Sequence, residues 1–144
     1  MKLSDLISAY CVNDIVNKSP YIIAEAGVNH EGIMDLAYRL IDEAAESGAH
    51  AIKFQTYKAD TIASKNSPSY WDLAKEPTDS QYKLFKKYDK FWKAEFEALA
   101  SRCEIIGIEF LSTPFDVESA NFLNDLMEVF KISSFLNKIG LVKN

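Results

Sequence analysis

Three polar side chains lie at the ends of two short apolar runs, where they could act together on a small anionic molecule. Glu25 follows the β-rich run 21–24, and Lys53 and Gln55 close the run 51–55. A lysine is seldom fully buried without a partner, so Lys53 in an apolar strand is informative. Glu25 could form an ion pair with a lysine, or it could accept a hydroxyl proton as a general base.

The next two apolar runs end in the same kind of chemistry. Thr113 follows the run 105–111 together with Ser112, and Lys131 lies in the run 129–132, with Ser134 just beyond. Two ammonium groups with several hydroxyl and amide donors suit a phosphate or a phosphorylated carboxylate. The pattern therefore predicts an anion pocket built from Lys53 and Lys131.

Each of these residues also has a purely structural interpretation, which the pattern leaves open. Lys53 could extend along an edge strand and reach solvent with its ammonium group. Glu25 could be no more than its ion-pair partner. The segment Ser112-Thr113-Pro114 could be a turn that leads into a helix.

The elements that would position these residues alternate between short strands and amphipathic helices. Strands are predicted at 21–24, 51–55, 105–111 and 129–132. Helices are predicted at 34–47, from Thr78-Asp79 through 88, at 91–103, from Asp116 to 126, and at 135–143. Strands that are apolar on both faces belong to a parallel sheet covered by helices, and the carboxyl ends of such strands form the site.

Composition excludes several classes of protein. The chain has 144 residues, of which 48% are hydrophobic and 26% charged, and its formal net charge is −5. This balance is that of a globular domain and argues against a basic nucleic-acid binder. No apolar run is long enough to span a bilayer, and the N-terminus lacks the features of a signal peptide, so we expect a cytoplasmic protein without a membrane partner.

Two histidines are present, and neither forms part of a metal-ligand motif. His50 precedes the second strand, at the opposite edge from the predicted site, and a structural role is expected. His30 lies in the loop after the first strand. It could touch a ligand or cap its own loop, and the sequence does not separate these two roles.

Four motifs together resemble the sialic acid synthase family, which comprises N-acetylneuraminate, legionaminate and pseudaminate synthases and spore-coat polysaccharide relatives. They occur in the family order between about residues 20 and 134. In sequence letters they are IAEAGVNHEG from residue 23, IKFQT from residue 52, FLSTPF from residue 110 and FKISS from residue 130.

The resemblance implies a fold and a reaction. The fold would be the first half of an aldolase-type (β/α)8 barrel, with about four parallel strands and covering helices over residues 1–144. The reaction would be the condensation of phosphoenolpyruvate with an N-acylated mannosamine-type amino sugar to give a sialic-type acid, with release of phosphate. Enzymes of this type belong to the biosynthesis of cell-surface polysaccharides.

The resemblance also implies roles for single residues. Lys53 and Glu25 would be catalytic, with Glu25 facing the sugar. Phosphoenolpyruvate would be held by Lys53 and by further polar residues, namely Gln55, Thr113, Lys131 and Ser134. A divalent metal, Mn²⁺ or Mg²⁺, would polarise the sugar aldehyde, but the family's metal-binding histidines lie on later strands and no metal ligand is expected in this chain.

Compared with the family, we expect a truncated member that lacks the second half-barrel and the C-terminal antifreeze-like domain. An open half-barrel exposes strand edges, which favours a homo-oligomer. Two other functions stay open from the sequence. One is a Schiff-base aldolase that uses Lys53, and the other is a non-catalytic half-barrel that binds an anion or a partner chain.

Overall fold

The computed structural model describes residues 2–11 and 19–132, which form an α/β unit with a parallel sheet. The strands are β1 (Ile23–Gly27), β2 (Ala51–Thr56) and β3 (Glu109–Pro114). The helices are α1 (Leu3–Cys11), α2 (Met34–Glu46), α3 (Ala59–Ile62), α4 (Gln81–Tyr88), α5 (Lys93–Ile106) and α6 (Val117–Leu123).

The sheet has the order β1-β2-β3, with both pairs parallel. In β1 and β2, Ala24 pairs with Ile52 and Glu25 with Lys53, and an irregularity between Glu25 and Gly27 then shifts the register. A β-bulge of this kind bends the strand near its end. The predicted class, an α/β fold consistent with part of a (β/α)8 barrel, is confirmed.

One face of the sheet packs against helices and forms the core. Alternate residues of β2 and β3, including Ile52, Phe54 and Phe110, are directed to this face, where Phe54 and Phe110 stack with ring centroids 6.0 Å apart. The helices α2 and α5 cover it with Ile41 and Leu99, both fully buried. The opposite face, which carries Glu25, Lys53, Gln55 and Thr113, is called the inner face below.

The fourth predicted strand is not formed. Residues 129–132 have no regular structure, so the described sheet has three strands where about four were predicted. Phe130 nevertheless packs against the core. Val129 and Phe130 also line a cavity of about 220 Å³ together with Leu111 and Ser112 of β3, instead of forming a hydrogen-bonded ladder. The helix predicted at 135–143 and the site residue Ser134 lie outside the described residues.

Two element boundaries differ from the predicted ones for local reasons. Ile105 and Ile106 belong to α5, not to the third strand, because the helix continues until Gly107 adopts a left-handed conformation with φ of 84°. The N-cap of α4 is Ser80 instead of Thr78-Asp79. The Thr78 hydroxyl donates to Glu76, and Asp79 pairs with Lys83 one turn later. The predicted cap of α6 is confirmed, since the Asp116 side chain accepts from the Ser119 N–H at 2.7 Å.

The long segment after β2 is an ordered insertion, although its sequence has no clear period. It contains α3 and an isolated antiparallel bridge between Pro68 and Ser80. The indole N–H of Trp71 donates to the carbonyl oxygens of Glu76 and Thr78, both at 3.1 Å. Helix α1 was not predicted, and its backbone N–H at Leu3 donates to Glu109 at 2.7 Å, near the amino ends of the strands.

In the described ranges, no helix combines the length and the apolar character that crossing a membrane requires.

Candidate active site

The carboxyl ends of the three strands bring four predicted site residues onto one face. Glu25 pairs with Lys53 in the register of β1 and β2, and Gln55 pairs with Thr113 in that of β2 and β3. Residues opposite each other in adjacent strands share a face, and so do residues two apart in one strand. The inner face therefore carries a carboxylate, an ammonium, an amide and a hydroxyl in two strand pairs that follow each other on this face.

Lys53 and Glu25 form an ion pair at the centre of this arrangement. The Lys53 side chain is only 13% exposed, whereas that of Glu25 is 54% exposed. β2 is the central strand, so the interpretation of Lys53 as an edge-strand lysine that reaches solvent is wrong. The predicted ion pair between Glu25 and a lysine is confirmed. This pair orients Lys53 along the inner face.

Gln55 and Thr113 lie one step further toward the carboxyl ends. A Cβ atom built on Gly27 would be 3.6 Å from both Gln55 Nε2 and Glu25 Oε1, so both polar groups border the space beside this glycine. Thr113 is buried, and its Oγ1 has no hydrogen-bond partner among the described residues. A buried hydroxyl without a partner is costly, and a bound oxyanion would supply the missing acceptor.

Lys131 lies on a segment without regular structure and is exposed. It nevertheless lines the cavity of about 220 Å³ that Lys53 also lines. The structure thus brings the two predicted cations to one cavity, although the strand that was expected to carry Lys131 is not formed. The rest of the cavity lining is apolar apart from Ser112, and Lys53 itself is ion-paired with Glu25.

Ser112 borders the smaller cavity, but its hydroxyl is bonded on the core side of the sheet. Its Oγ lies 2.7 Å from Thr56 Oγ1, in a buried hydrogen bond on the core side of the sheet. The two hydroxyls satisfy each other at the ends of β2 and β3. They hold the strand ends in register next to Gln55 and Thr113, so their role is structural.

His30 is buried in the loop after β1, where its Nδ1 accepts from the Gly32 N–H at 3.0 Å. Its ring stacks on Phe91, with centroids 4.1 Å apart and an interplanar angle of 7°. Burial lowers the pKa of His30 to about 4, which keeps the ring neutral at physiological pH. Of the two roles left open by the sequence, the capping role is the one that the structure shows, and Phe91 is a partner that the sequence did not reveal.

No group of three or more His, Cys, Asp or Glu side chains that could hold a metal occurs in residues 2–11 and 19–132. His50 is part of the opposite edge of the sheet, where its Nδ1 accepts from the Ile22 N–H and its ring stacks on Tyr21. Its predicted structural role is confirmed. The described residues do not fit a divalent metal.

A larger cavity of about 830 Å³ lies at the amino ends of β2 and β3. Its ionisable lining is mainly acidic, with Lys2 and His50 against five carboxylates, namely Glu97, Glu104, Glu109, Asp125 and Glu128. This charge repels an anion. The polar cluster of Glu25, Lys53, Gln55 and Thr113 on the inner face, from which the smaller cavity shares Lys53, is therefore the candidate site.

The fold and the site together define a class of protein, a parallel α/β unit with a cluster of polar side chains toward the carboxyl ends of its strands. The sequence profile of the NeuB family matches residues 40–143, and the chain belongs to this family.

Curated relatives agree with this assignment. The chain is 44% identical over 122 residues to N,N'-diacetyllegionaminic acid synthase of Campylobacter jejuni. The aligned region covers 81% of this chain and 36% of the relative. It is 39% identical over 126 residues to the spore coat polysaccharide biosynthesis protein SpsE of Bacillus subtilis, and this aligned region covers 85% of this chain and 33% of the relative. The chain thus spans about a third of the length of these relatives.

A solved structure of a relative has the same fold. The N-acetylneuraminic acid synthetase of Leptospira borgpetersenii, crystallised with citrate, superposes with a TM-score of 0.70 at 40% identity, over 86% of this chain and 40% of that protein.

Proposed function

We propose that this chain belongs to an enzyme that condenses phosphoenolpyruvate with an N-acylated mannosamine-type sugar, and that its strands supply the phosphoenolpyruvate-binding part of the site. The observation that carries the proposal is the buried hydroxyl of Thr113, which has no hydrogen-bond partner within residues 2–11 and 19–132, next to Gln55 and the Lys53–Glu25 pair. The names of the relatives, which are nonulosonic acid synthases, support the same reaction.

In this proposal the cations and donors of the inner face hold the phosphate and carboxylate of phosphoenolpyruvate. Lys53 and Lys131 provide the charge, Thr113 donates through its unpartnered hydroxyl, and Gln55 donates through its amide. Ser134, which lies outside the described residues, is proposed as a further donor by its place in the family motif. Holding the enol in one orientation is a large part of catalysis of a bimolecular condensation.

Glu25 is proposed to face the sugar. Its carboxylate is half exposed at the open side of the ion pair, where it can accept a hydrogen bond from a sugar hydroxyl. In the proposed reaction the enol carbon bonds to the open-chain aldehyde carbon of the sugar. Water then adds to the cation that remains at the former enol ester carbon, and phosphate leaves with its bridging oxygen.

The proposal is tested first by binding and then by turnover. Calorimetric titration of the purified chain with phosphoenolpyruvate should show saturable binding that Lys53→Met weakens. Phosphate release would be followed with phosphoenolpyruvate, an N-acylmannosamine and Mn²⁺ together, with single omissions as controls. Absence of phosphoenolpyruvate binding in the folded wild-type chain would contradict the proposed binding site.

Borohydride trapping separates the proposal from a Schiff-base aldolase. In the ion pair with Glu25, Lys53 is an ammonium without a lone pair for attack on a carbonyl, which favours anion binding. Borohydride in the presence of a keto acid should therefore leave the mass of the chain unchanged. A covalent adduct at Lys53 would instead identify the aldolase chemistry.

A further inference from the structure

The turn between α4 and α5 is held from the end of β2. Lys58, two residues after β2, donates through Nζ to the carbonyl oxygens of Asp89 at 2.8 Å and Phe91 at 3.1 Å. The buried Asp89 carboxylate accepts from the Ala59 N–H at 2.9 Å. These three hydrogen bonds fix residues 89–91, called the α4–α5 turn below, to the strand that carries Lys53.

The same turn is held from the end of β1 by His30. The imidazole stacks on Phe91, and its Nδ1 accepts from the Gly32 N–H. Gly32 also lies directly under the stem of Lys90, because a Cβ atom at position 32 would be 2.3 Å from Lys90 Cδ. The loop after β1 and the α4–α5 turn are therefore in close contact at two consecutive residues of the turn.

We propose that His30 is a positioning residue that fixes Glu25 relative to Lys53 through the α4–α5 turn. The proposal rests on the proposed function, in which the Glu25–Lys53 pair meets the substrates. β1 ends in a bulge directly after Glu25, so its register with β2 is weakest at this point. The contact of His30 with Phe91, together with Lys58, links the ends of β1 and β2 beyond the sheet itself.

Histidine suits this position because one side chain provides two contacts. Its Nδ1 is an acceptor for the N–H two residues later, and its flat ring stacks on Phe91. Since Nδ1 accepts, the proton of the neutral ring lies on Nε2, which has no hydrogen-bond partner among the described residues. The geometry thus assigns His30 the tautomer that carries its proton on Nε2.

Three substitutions separate the two contacts. His30→Asn keeps an acceptor for the Gly32 N–H, because Asn side chains bond to the backbone two residues on, but it removes the stacking ring. His30→Phe keeps the ring and removes the acceptor. Phe91→Leu removes the stacking partner and leaves the imidazole in place.

Nuclear magnetic resonance of the full chain gives the decisive readouts. In wild type, long-range ¹H–¹⁵N spectra should show His30 protonated at Nε2, and protonation at Nδ1 would overturn the proposal without any variant. In His30→Phe the Gly32 amide should exchange about tenfold faster, as expected for one lost hydrogen bond. His30→Asn should restore the wild-type exchange rate at Gly32.

The coupling to the site is read from Glu25 and Lys53 themselves. Both His30→Asn and Phe91→Leu should shift the backbone resonances of Glu25 and Lys53, because both variants disconnect the loop from the turn. Resonances of these two residues that stay at their wild-type positions in a folded Phe91→Leu protein would show that His30 supports only its own loop.

Titration with phosphoenolpyruvate keeps this proposal separate from the proposed function. We expect Phe91→Leu to weaken phosphoenolpyruvate binding several-fold, although residue 91 is buried in the core and not on the inner face. A wild-type chain that does not bind phosphoenolpyruvate would contradict the proposed function. In that case the tautomer and the resonances of Glu25 and Lys53 would still decide the role of His30.

Discussion

Glu25 and Lys53 are register partners at the ends of β1 and β2, and their side chains form an ion pair on the inner face of the sheet. The lysine is largely buried and the carboxylate is half exposed. A buried ammonium needs a partner, and in this pair the partner still has oxygen lone pairs open to the solvent side. The arrangement keeps a cation at the base of the site and a hydrogen-bond acceptor at its opening.

Replacing Lys53 by Met tests whether this cation binds substrate. The substitution keeps most of the side-chain volume, and we expect phosphoenolpyruvate affinity to fall about 10- to 100-fold, as for a lost charge-assisted hydrogen bond. Calorimetric titration measures the change. The matched control is Lys83→Met, which removes an exposed lysine of α4 that is paired with Asp79 before the helix, and it should leave affinity unchanged. Equal affinities of the two variants would contradict the role of Lys53.

Most of the site could be predicted from the sequence because strand ends are visible as apolar runs that stop at polar residues. Glu25, Lys53, Gln55 and Thr113 lie within or directly after such runs, and the structure places them on one face of the sheet. Their roles in binding and catalysis remain predictions. The position of Lys131 was predicted from a strand that is not formed, yet its side chain lines the cavity that Lys53 also lines.

The contacts of His30 could not be predicted from the sequence. Its stacking on Phe91 joins residues that are 61 positions apart. Local patterns predicted a helix from residue 91, but they relate only residues that are close along the chain and do not show which distant loop the start of that helix meets. The same holds for the lysine stem packed on Gly32. Glycine in a polar loop indicates a turn, but it does not reveal which distant side chain fills the space beside it.

The hydroxyl pair of Thr56 and Ser112 should contribute to stability through mutual hydrogen bonding. Ser112→Ala leaves the buried Thr56 hydroxyl without its partner, and we expect the free energy of unfolding to fall by about 1–3 kcal/mol. Adding Thr56→Val removes the unsatisfied group, so the double variant should be less destabilised than the sum of the two single variants. Urea denaturation of all four proteins gives the coupling, and strict additivity would mean that the hydroxyls do not interact.

Gly32 should tolerate a side chain less well than Gly48, although both adopt a left-handed conformation. The φ angles are 73° and 80°, so alanine is strained at either position by about 1 kcal/mol. Only at Gly32 does the new Cβ also overlap the Lys90 stem, whereas nothing lies within 4 Å of it at Gly48. We expect Gly32→Ala to lower the urea midpoint more than Gly48→Ala. Lys90→Ala in the Gly32→Ala background should recover part of the difference, because it removes Cγ and Cδ at 2.9 and 2.3 Å but keeps Cβ at 2.8 Å. No recovery at all would show that overlap with Cγ and Cδ is not its cause.

The stability of the protein should fall between about pH 6.5 and pH 4 because of His30. The unfolded histidine binds a proton near pH 6.5, whereas burial lowers the pKa in the folded protein to about 4. The unfolded state therefore binds more protons in this window, and acidification favours unfolding by an amount on the order of 2 kcal/mol. The contribution is fully present above the unfolded pKa and is lost as the pH falls toward the folded one.

His30→Phe separates this effect from the titration of other groups. The variant lacks the imidazole but keeps the stacking ring, so its loss of the Gly32 hydrogen bond is a constant offset that does not depend on pH. Urea denaturation of both proteins from pH 7 to pH 4 should show wild type losing unfolding free energy relative to the variant as the pH falls, by an amount on the order of 2 kcal/mol. A difference in unfolding free energy that stays constant from pH 7 to pH 4 would mean that His30 has the same pKa in the folded and unfolded chains. Burial against Phe91 would then not be what keeps the ring neutral.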